Sequence, residues 1–327
     1  MQNYLYKFME YIVSDEFDKH LDKIGPYIYK TPVLKSEWLN RMAGCKLWFK
    51  CENLQAIGAF KIRGAMQAAL TIKAAGGALT LATHSSGNHA QAVAYAAHTL
   101  GGKAYIVMPQ NAPKVKVRGV ESFGGIVTFC KPTLFDRENE LQKIVSNTGA
   151  TVIHPYNDVS VIEGQGTCAW EFLHQLESTP DAIFAPVGGG GLLSGTALAA
   201  GKYSSQVKVF GAEPSGADDA FRSFTSGVLV THHEPETIAD GLLTTLGELP
   251  FRIIRQKVED IITADDTDIK HAMKLIISHL RILVEPSAAV PLAVVFKEQK
   301  RFSGKNIGII LSGGNVDLER LPDLLDI

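Results

Sequence analysis

Ala182-Ile183-Phe184-Ala185-Pro186-Val187-Gly188-Gly189-Gly190-Gly191-Leu192-Leu193-Ser194-Gly195 passes from an apolar, β-prone run through four glycines into a helical run. Glycine admits positive φ and lets backbone N–H groups approach a phosphate closely, and the helix start adds a favourable field. A flexible turn is the plain alternative. No Gly-Lys-Ser/Thr ends the run, so it is not a Walker A loop, and Leu192 stands where a dinucleotide motif needs its second glycine. A lone monophosphate is the better guest. Working outward, β-prone runs recur at Leu47–Lys50, Ala104–Met108, Ile126–Phe129, Val207–Phe210 and Ile307–Leu311. Helical stretches such as Ala90–Leu100 and Asp136–Ser146 lie between them. This alternation predicts an α/β fold of parallel sheets covered by helices on both faces. Ligands in such folds gather where strands end and helices begin.

Three more segments fall at such junctions. In Gly58-Ala59-Phe60-Lys61-Ile62-Arg63-Gly64-Ala65 a single lysine follows an aromatic residue and opens a helix. Apolar surroundings strip hydration from an ammonium, lower its pKa and free an amine able to hold an aldehyde cofactor; the alternative is an ordinary solvated lysine. His84-Ser85-Ser86-Gly87-Asn88-His89 opens the next helix, where Ser and Asn serve either as caps or as part of a carboxylate grip. His84 and His89 lack the acidic or cysteine companions of a metal site. Ser312-Gly313-Gly314-Asn315 follows the last apolar run.

Composition narrows the function classes. Hydrophobic residues make up 46% and charged residues 20%, the balance of a globular protein of 327 residues with room for two lobes. A net charge of −2 and a pI near 6.6 give no reason to expect a nucleic-acid partner. No apolar run reaches the roughly 20 residues of a membrane helix, and Met1–Phe8 lacks a signal-peptide layout. Cys45, Cys51, Cys130 and Cys168 form no CxxC pair, which points away from zinc and disulfides and towards a reducing cytoplasm.

Taken in order, the lysine segment, Ser85–His89, the glycine run and Ser312–Asn315 resemble the pyridoxal-phosphate enzymes of the serine/threonine dehydratase and serine racemase family, from about Thr31 to Asp317. The resemblance implies fold type II: two lobes with parallel-rich twisted sheets. Residues 1–79 and 158–327 would form the large, cofactor-binding domain, with 80–157 inserted as a small domain, and the protein would be a homodimer. The C-terminal regulatory domain of biosynthetic threonine deaminases has no counterpart after Asn315, so feedback control of that kind is not expected. By resemblance Lys61 holds pyridoxal phosphate and acts as base, while Ser86 is the second catalytic residue, on the face opposite Lys61. Phe60, Asn88, Gly188, Gly189, Gly190, Gly191, Leu192 and Ser312 bind the cofactor. Ser85, Ser86, Asn88, His89, Arg137 and Gly241 bind a small amino-acid substrate. A neutral serine at the ring nitrogen makes a weaker electron sink than a carboxylate, which suits prompt elimination or reprotonation over transamination.

The resemblance also turns Glu213, the Ala217 carbonyl and Asp219 into a divalent cation site for Mg²⁺, Mn²⁺ or Ca²⁺; without it, the same loop reads as solvated acid. The expected reaction is deamination of L-serine or L-threonine to a 2-oxo acid and ammonia. Serine racemisation and threo-3-hydroxyaspartate dehydration are alternatives, as is a non-catalytic pyridoxal-phosphate carrier or amino-acid sensor. Ser86 matches the racemase and hydroxyaspartate dehydratase pattern, whereas Ala90 matches the deaminases. Ala59 departs from the serine most relatives carry, and the Ser-Val-Lys-Asp motif of cysteine synthases is absent.

Overall fold

The computed structural model describes residues 13–326, so the Met1–Phe8 segment lies outside it. Ten strands form two sheets: β1 (Val33–Leu34), β2 (Lys46–Cys51), β3 (Thr80–His84), β4 (Lys103–Pro109), β5 (Ile126–Cys130), β6 (Thr151–Val152), β7 (Ala182–Pro186), β8 (Lys208–Pro214), β9 (Asp260–Ala264) and β10 (Asn306–Leu311). The six-stranded sheet has the order β1-β2-β10-β7-β8-β9 and the four-stranded sheet β5-β4-β3-β6. Every pairing is parallel except β1 with β2. β7 is buried at every residue, as a central parallel strand covered on both faces must be. One core packs Phe49, Phe184, Phe210 and Ile309 against one face of the larger sheet. A second packs Phe172, Ile183, Leu193 and Ile310 against the other. This is the α/β architecture expected from the alternation of strand and helix signals.

The helices that shape the site are α1 (Lys61–Ala74), α2 (Asn88–Leu100), α3 (Lys114–Ser122), α4 (Leu134–Thr148), α5 (Val159–Gln175), α6 (Gly191–Tyr203), α7 (Asp219–Ser226) and α8 (Pro286–Lys297). Because the strands run parallel, their carboxyl ends share an edge. β3 leads there into Ser85, β7 into the glycine run, β8 into Ser215 and β10 into Ser312.

A buried ionic cluster anchors α1. Arg63 donates Nε to Glu52 Oε2 at 2.7 Å and Nη2 to Glu52 Oε1 at 2.8 Å, and Nη2 also reaches Glu171 Oε1 on α5 at 3.0 Å. Lys50 on β2 pairs with the same Glu171 and donates to the Thr31 carbonyl at 2.9 Å. Glu52, Arg63 and Lys50 are fully buried. Burial alone would raise the Glu52 carboxyl, yet the charge and hydrogen bonds of Arg63 overcome it and hold the pKa below the usual value. The cluster fixes the helix that begins two residues earlier at Lys61.

Candidate active site

The lysine turn and the Ser312 turn are one backbone unit. Ala59 pairs with Gly313 in an antiparallel bridge. Phe60 N–H donates to the Ser312 carbonyl at 3.0 Å, and Gly314 N–H donates to the Gly58 carbonyl at 2.9 Å. From this unit Lys61 Nζ donates to the Pro155 carbonyl at 2.9 Å and lies 5.2 Å from the centre of the Phe60 ring. Burial lowers its pKa to about 8, with Glu285 pulling the other way. Near pH 8 about half of such an amine is free, against well under about 1% for an ordinary lysine.

Gly190 caps α6 with φ +88°, a conformation side chains resist. At Gly189 a Cβ would stand 2.1 Å from the Tyr156 ring, so only glycine fits there. The first turn of α6 leaves its N–H groups without partners in the helix, as every helix start does. Free amides that follow a glycine run in this way are the kind of donor set able to hold a phosphate group.

At the Ser85–His89 segment the capping alternative falls away. Gly87 is the N-cap of α2, with no side-chain capping bond. Ser85 Oγ accepts from Gly87 N–H at 3.2 Å. Asn88 Nδ2 donates to Glu285 Oε1 at 2.8 Å, and Asn88 Oδ1 accepts from Asn315 Nδ2 at 2.9 Å. These two bonds fix the orientation of the amide and leave the second Nδ2 hydrogen for a ligand. Lys116 on α3 continues the chain, 3.5 Å from Glu285 and 2.8 Å from Asp240. It is 1% exposed, so its ammonium sits behind the Ser85–Asn88 loop rather than in solvent. Gly241 follows Asp240, and its N–H donates to Ser287 Oγ at 3.0 Å. Lys116, Asp240 and Glu285 were not among the residues singled out from sequence.

His89 donates Nε2–H to the Ile153 carbonyl at 3.0 Å, and burial holds its pKa well below the ordinary value. His84 and His154 meet edge to face at 6.2 Å. Burial lowers both to about 4, helped at His84 by the charge of Arg137. Burial thus favours the neutral imidazole at His84, His89 and His154. Arg137 lies on the first turn of α4, at the carboxyl edge of the four-stranded sheet, and its Nε donates only a long 3.4 Å bond to the Thr133 carbonyl. No hydrogen bond joins it to Ser85–His89.

Among the described residues no group of three or more His, Cys, Asp or Glu side chains forms a metal-binding set. Glu213 accepts from Ala220 and Phe221 N–H at 2.9 and 2.7 Å, and so caps α7. Asp219 accepts from Leu246 N–H through Oδ2 at 2.7 Å, while its buried Oδ1 has no hydrogen-bond partner. Burial pushes Glu213 well above the usual carboxylate range and Asp219 in the same direction. Two buried acids and one orphaned oxygen suit a positive charge, so the donor chemistry fits a cation.

A part-buried lysine whose amine is shifted towards the neutral form, a glycine run opening a helix and a serine beside the lysine turn, at the carboxyl edges of two parallel sheets, are the features of a fold type II pyridoxal-phosphate enzyme. The family model for pyridoxal-phosphate dependent enzymes matches residues 24–313, and the chain belongs to that family. It is 47% identical over 301 residues to the β-hydroxyaspartate dehydratase of Paracoccus denitrificans, covering 92% of this chain and 95% of the relative. It is 45% identical over 308 residues to the serine racemase of Dictyostelium discoideum, covering 93% and 95%. The solved structure of maize serine racemase superimposes with a TM-score of 0.91 at 42% identity, covering 96% of this chain and 97% of that one.

Proposed function

We propose that this enzyme removes water and then ammonia from a small β-hydroxy amino acid, giving a 2-oxo acid, with L-serine or L-threonine as substrate. The observation that carries the reading is the placing of Lys61 at the head of α1, where burial shifts its amine towards the neutral form, together with a polar Ser85–Asn88 loop at a helix start, which suits a carboxylate. When bound, pyridoxal phosphate supplies the electron sink that acidifies Cα. Lys61 would hold the cofactor and, as a free amine, would act as the base that takes the Cα proton. Ser85, Ser86 and the α2 amides orient the substrate carboxylate, with the Lys116 charge behind them. The Gly188–Gly191 run would hold the cofactor's phosphate, and Ser312 and Asn88 would hold its ring. The β-hydroxyl leaves as water, and hydrolysis of the product releases ammonia.

Racemisation is the second reading, favoured by Ser86, whose hydroxyl enters no hydrogen bond with another described residue. A hydroxyl opposite Lys61 returns a proton to the other face of Cα. A third reading, 3-hydroxyaspartate dehydration, is supported by the unpaired Arg137 charge near His84 and by the Paracoccus relative. A non-catalytic carrier has no use for a base and a carboxylate grip together.

The test is chiral product analysis with L-serine, L-threonine and both 3-hydroxyaspartate diastereomers, with pyridoxal phosphate and Mg²⁺ present. Mainly 2-oxo acid from L-serine or L-threonine supports the first reading. Substantial D-serine moves the assignment to racemase, and a preference of about tenfold or more for hydroxyaspartate in kcat/KM moves it to the third. No turnover of any of these would sink the enzyme reading of the site. Ser86→Ala is expected to cut D-serine formation about 10²-fold while leaving elimination within about tenfold; equal losses would remove Ser86 from its role.

We also infer a divalent cation at Glu213, Ala217 and Asp219, a structural ion that takes no part in bond making. The sheet partition supports residues 80–157 as an inserted small domain and the remainder as the large one. A homodimer is proposed by analogy with the racemase relatives. Cys45, Cys51, Cys130 and Cys168 are all free, which supports a reducing cytoplasmic setting. No described helix is long and apolar enough to cross a membrane.

A further inference from the structure

The stretch between α7 and Asp240 is an extended loop held at both ends. Val230 N–H donates to Ser223 Oγ at 2.9 Å, and Glu236 N–H donates to the Gly216 carbonyl at 2.8 Å. The second contact is so close that a Cβ on Gly216 would lie 1.8 Å from the Glu236 carbonyl oxygen. The loop is thereby drawn over the Ser215–Ala217 turn, and its middle residue, His233, is carried onto Asp219. Its side chain is only 6% exposed, and Nε2 stands 3.3 Å from Asp219 Oδ1. Yet Asp219 Oδ1 and both His233 ring nitrogens are buried without a hydrogen-bond partner. The ring and the carboxylate are close but not aligned to bond each other.

Two donor atoms about 2.1 Å from one ion lie ~3.0 Å apart at an octahedral angle and ~3.4 Å apart at a tetrahedral one. The 3.3 Å separation falls in that interval. Glu213 spends one lone pair of each oxygen on the α7 amides and keeps others for an ion. Ala217 ends the turn immediately before Asp218 and Asp219.

We propose that His233 supplies an imidazole nitrogen to the Asp219 cation site, the side chains closing into a set only as the ion binds, and that it thereby converts an all-oxygen donor set into a mixed one that selects a first-row divalent transition ion over Mg²⁺ and Ca²⁺. Imidazole binds such ions better than it binds hard cations, and affinity rises along the series from Mn²⁺ to Cu²⁺. The proposal rests on the cation reading above but not on the identity of the substrate. Since the loop ends at Asp240, which pairs with Lys116, the ion would also brace the segment that leads to Gly241.

The test is electron spin-echo modulation on the Mn²⁺-loaded holoenzyme, which reports directly coordinated nitrogen and needs no variant. The expected result is one Mn²⁺ per chain with a ¹⁴N coupling. Calorimetry should show Mn²⁺ binding at least ~tenfold tighter than Ca²⁺. His233→Asp is expected to lose the coupling and reverse that preference. Mn²⁺ bound without nitrogen coupling would overturn the role of His233 while leaving the cation site intact. No Mn²⁺ retained at millimolar concentration would overturn both.

Discussion

Replacing Lys61 with alanine is expected to lower turnover of the preferred substrate at least ~10³-fold and to abolish covalent retention of pyridoxal phosphate after borohydride reduction. No neighbouring amine can substitute. Lys116, a fully buried lysine at this edge, is held by Asp240 and Glu285, and these charges push its pKa up despite burial. The two lysines therefore differ in kind: one is kept charged by its partners, the other is kept reactive by their distance. A companion measurement follows from the sign of the Lys61 shift. In the cofactor-free protein, attachment of pyridoxal phosphate should reach half its maximal rate near pH 8, since the deprotonated amine is the nucleophile. An exposed lysine would place that midpoint more than two pH units higher. Product assay and intact mass after reduction check the variant. Retention of more than about a tenth of wild-type turnover would remove Lys61 from the role of base.

The difference between the two lysines also marks what the chain discloses before folding. Gly188–Gly191, Lys61 and Ser312 were readable because each stands where an apolar strand gives way to a helix or turn, and a glycine run there has a local physical meaning. Strands β3 and β9 were not singled out. Thr80-Leu81-Ala82-Thr83-His84 mixes small, polar and apolar residues and becomes a buried strand only by pairing with β4 and β6. Lys116 was hidden for a related reason. It lies in Lys114-Val115-Lys116-Val117-Arg118, which has the composition of a solvated basic helix, and its carboxylate partners are far away in sequence. Asn88 was legible as a residue type, whereas its bonds to Glu285 and Asn315, which set it apart from a capping side chain, were not. His233 carried no local signal, because its meaning depends on a loop folded back over Gly216. Long-range charge pairing is the information that periodicity and motif spacing do not hold.

Arg63 extends the same point to stability and supplies the second large effect. Arg63→Leu is expected to destabilise the protein by about 3–5 kcal/mol, because Glu52 and Glu171 would remain buried with too little positive charge. The pH dependence should also change sign. In the wild type the Glu52 pKa is held below its unfolded value, so its stabilisation is present at neutral pH and is lost as the pH falls through the folded pKa. Without Arg63 the balance of charge around Glu52 shifts towards desolvation, which raises a carboxyl pKa. Folding then favours the protonated acid, and the variant should regain part of its loss on acidification from pH 8 to pH 5.5. Urea unfolding at the two pH values separates this account from a simple packing defect, which would cost the same at both. A second variant, Arg63→Leu with Glu52→Leu, removes charge from both sides and should recover about 1 kcal/mol or more of the single loss. If the double variant is no more stable than the single one, the cost lies in lost packing rather than in uncompensated charge. Because α1 begins at Lys61 and is tied down through Arg63, the single variant should also retain less pyridoxal phosphate after dialysis, and the double variant should retain more as its stability returns. That parallel would place the buried ion cluster in the support of Lys61 as well as in the core.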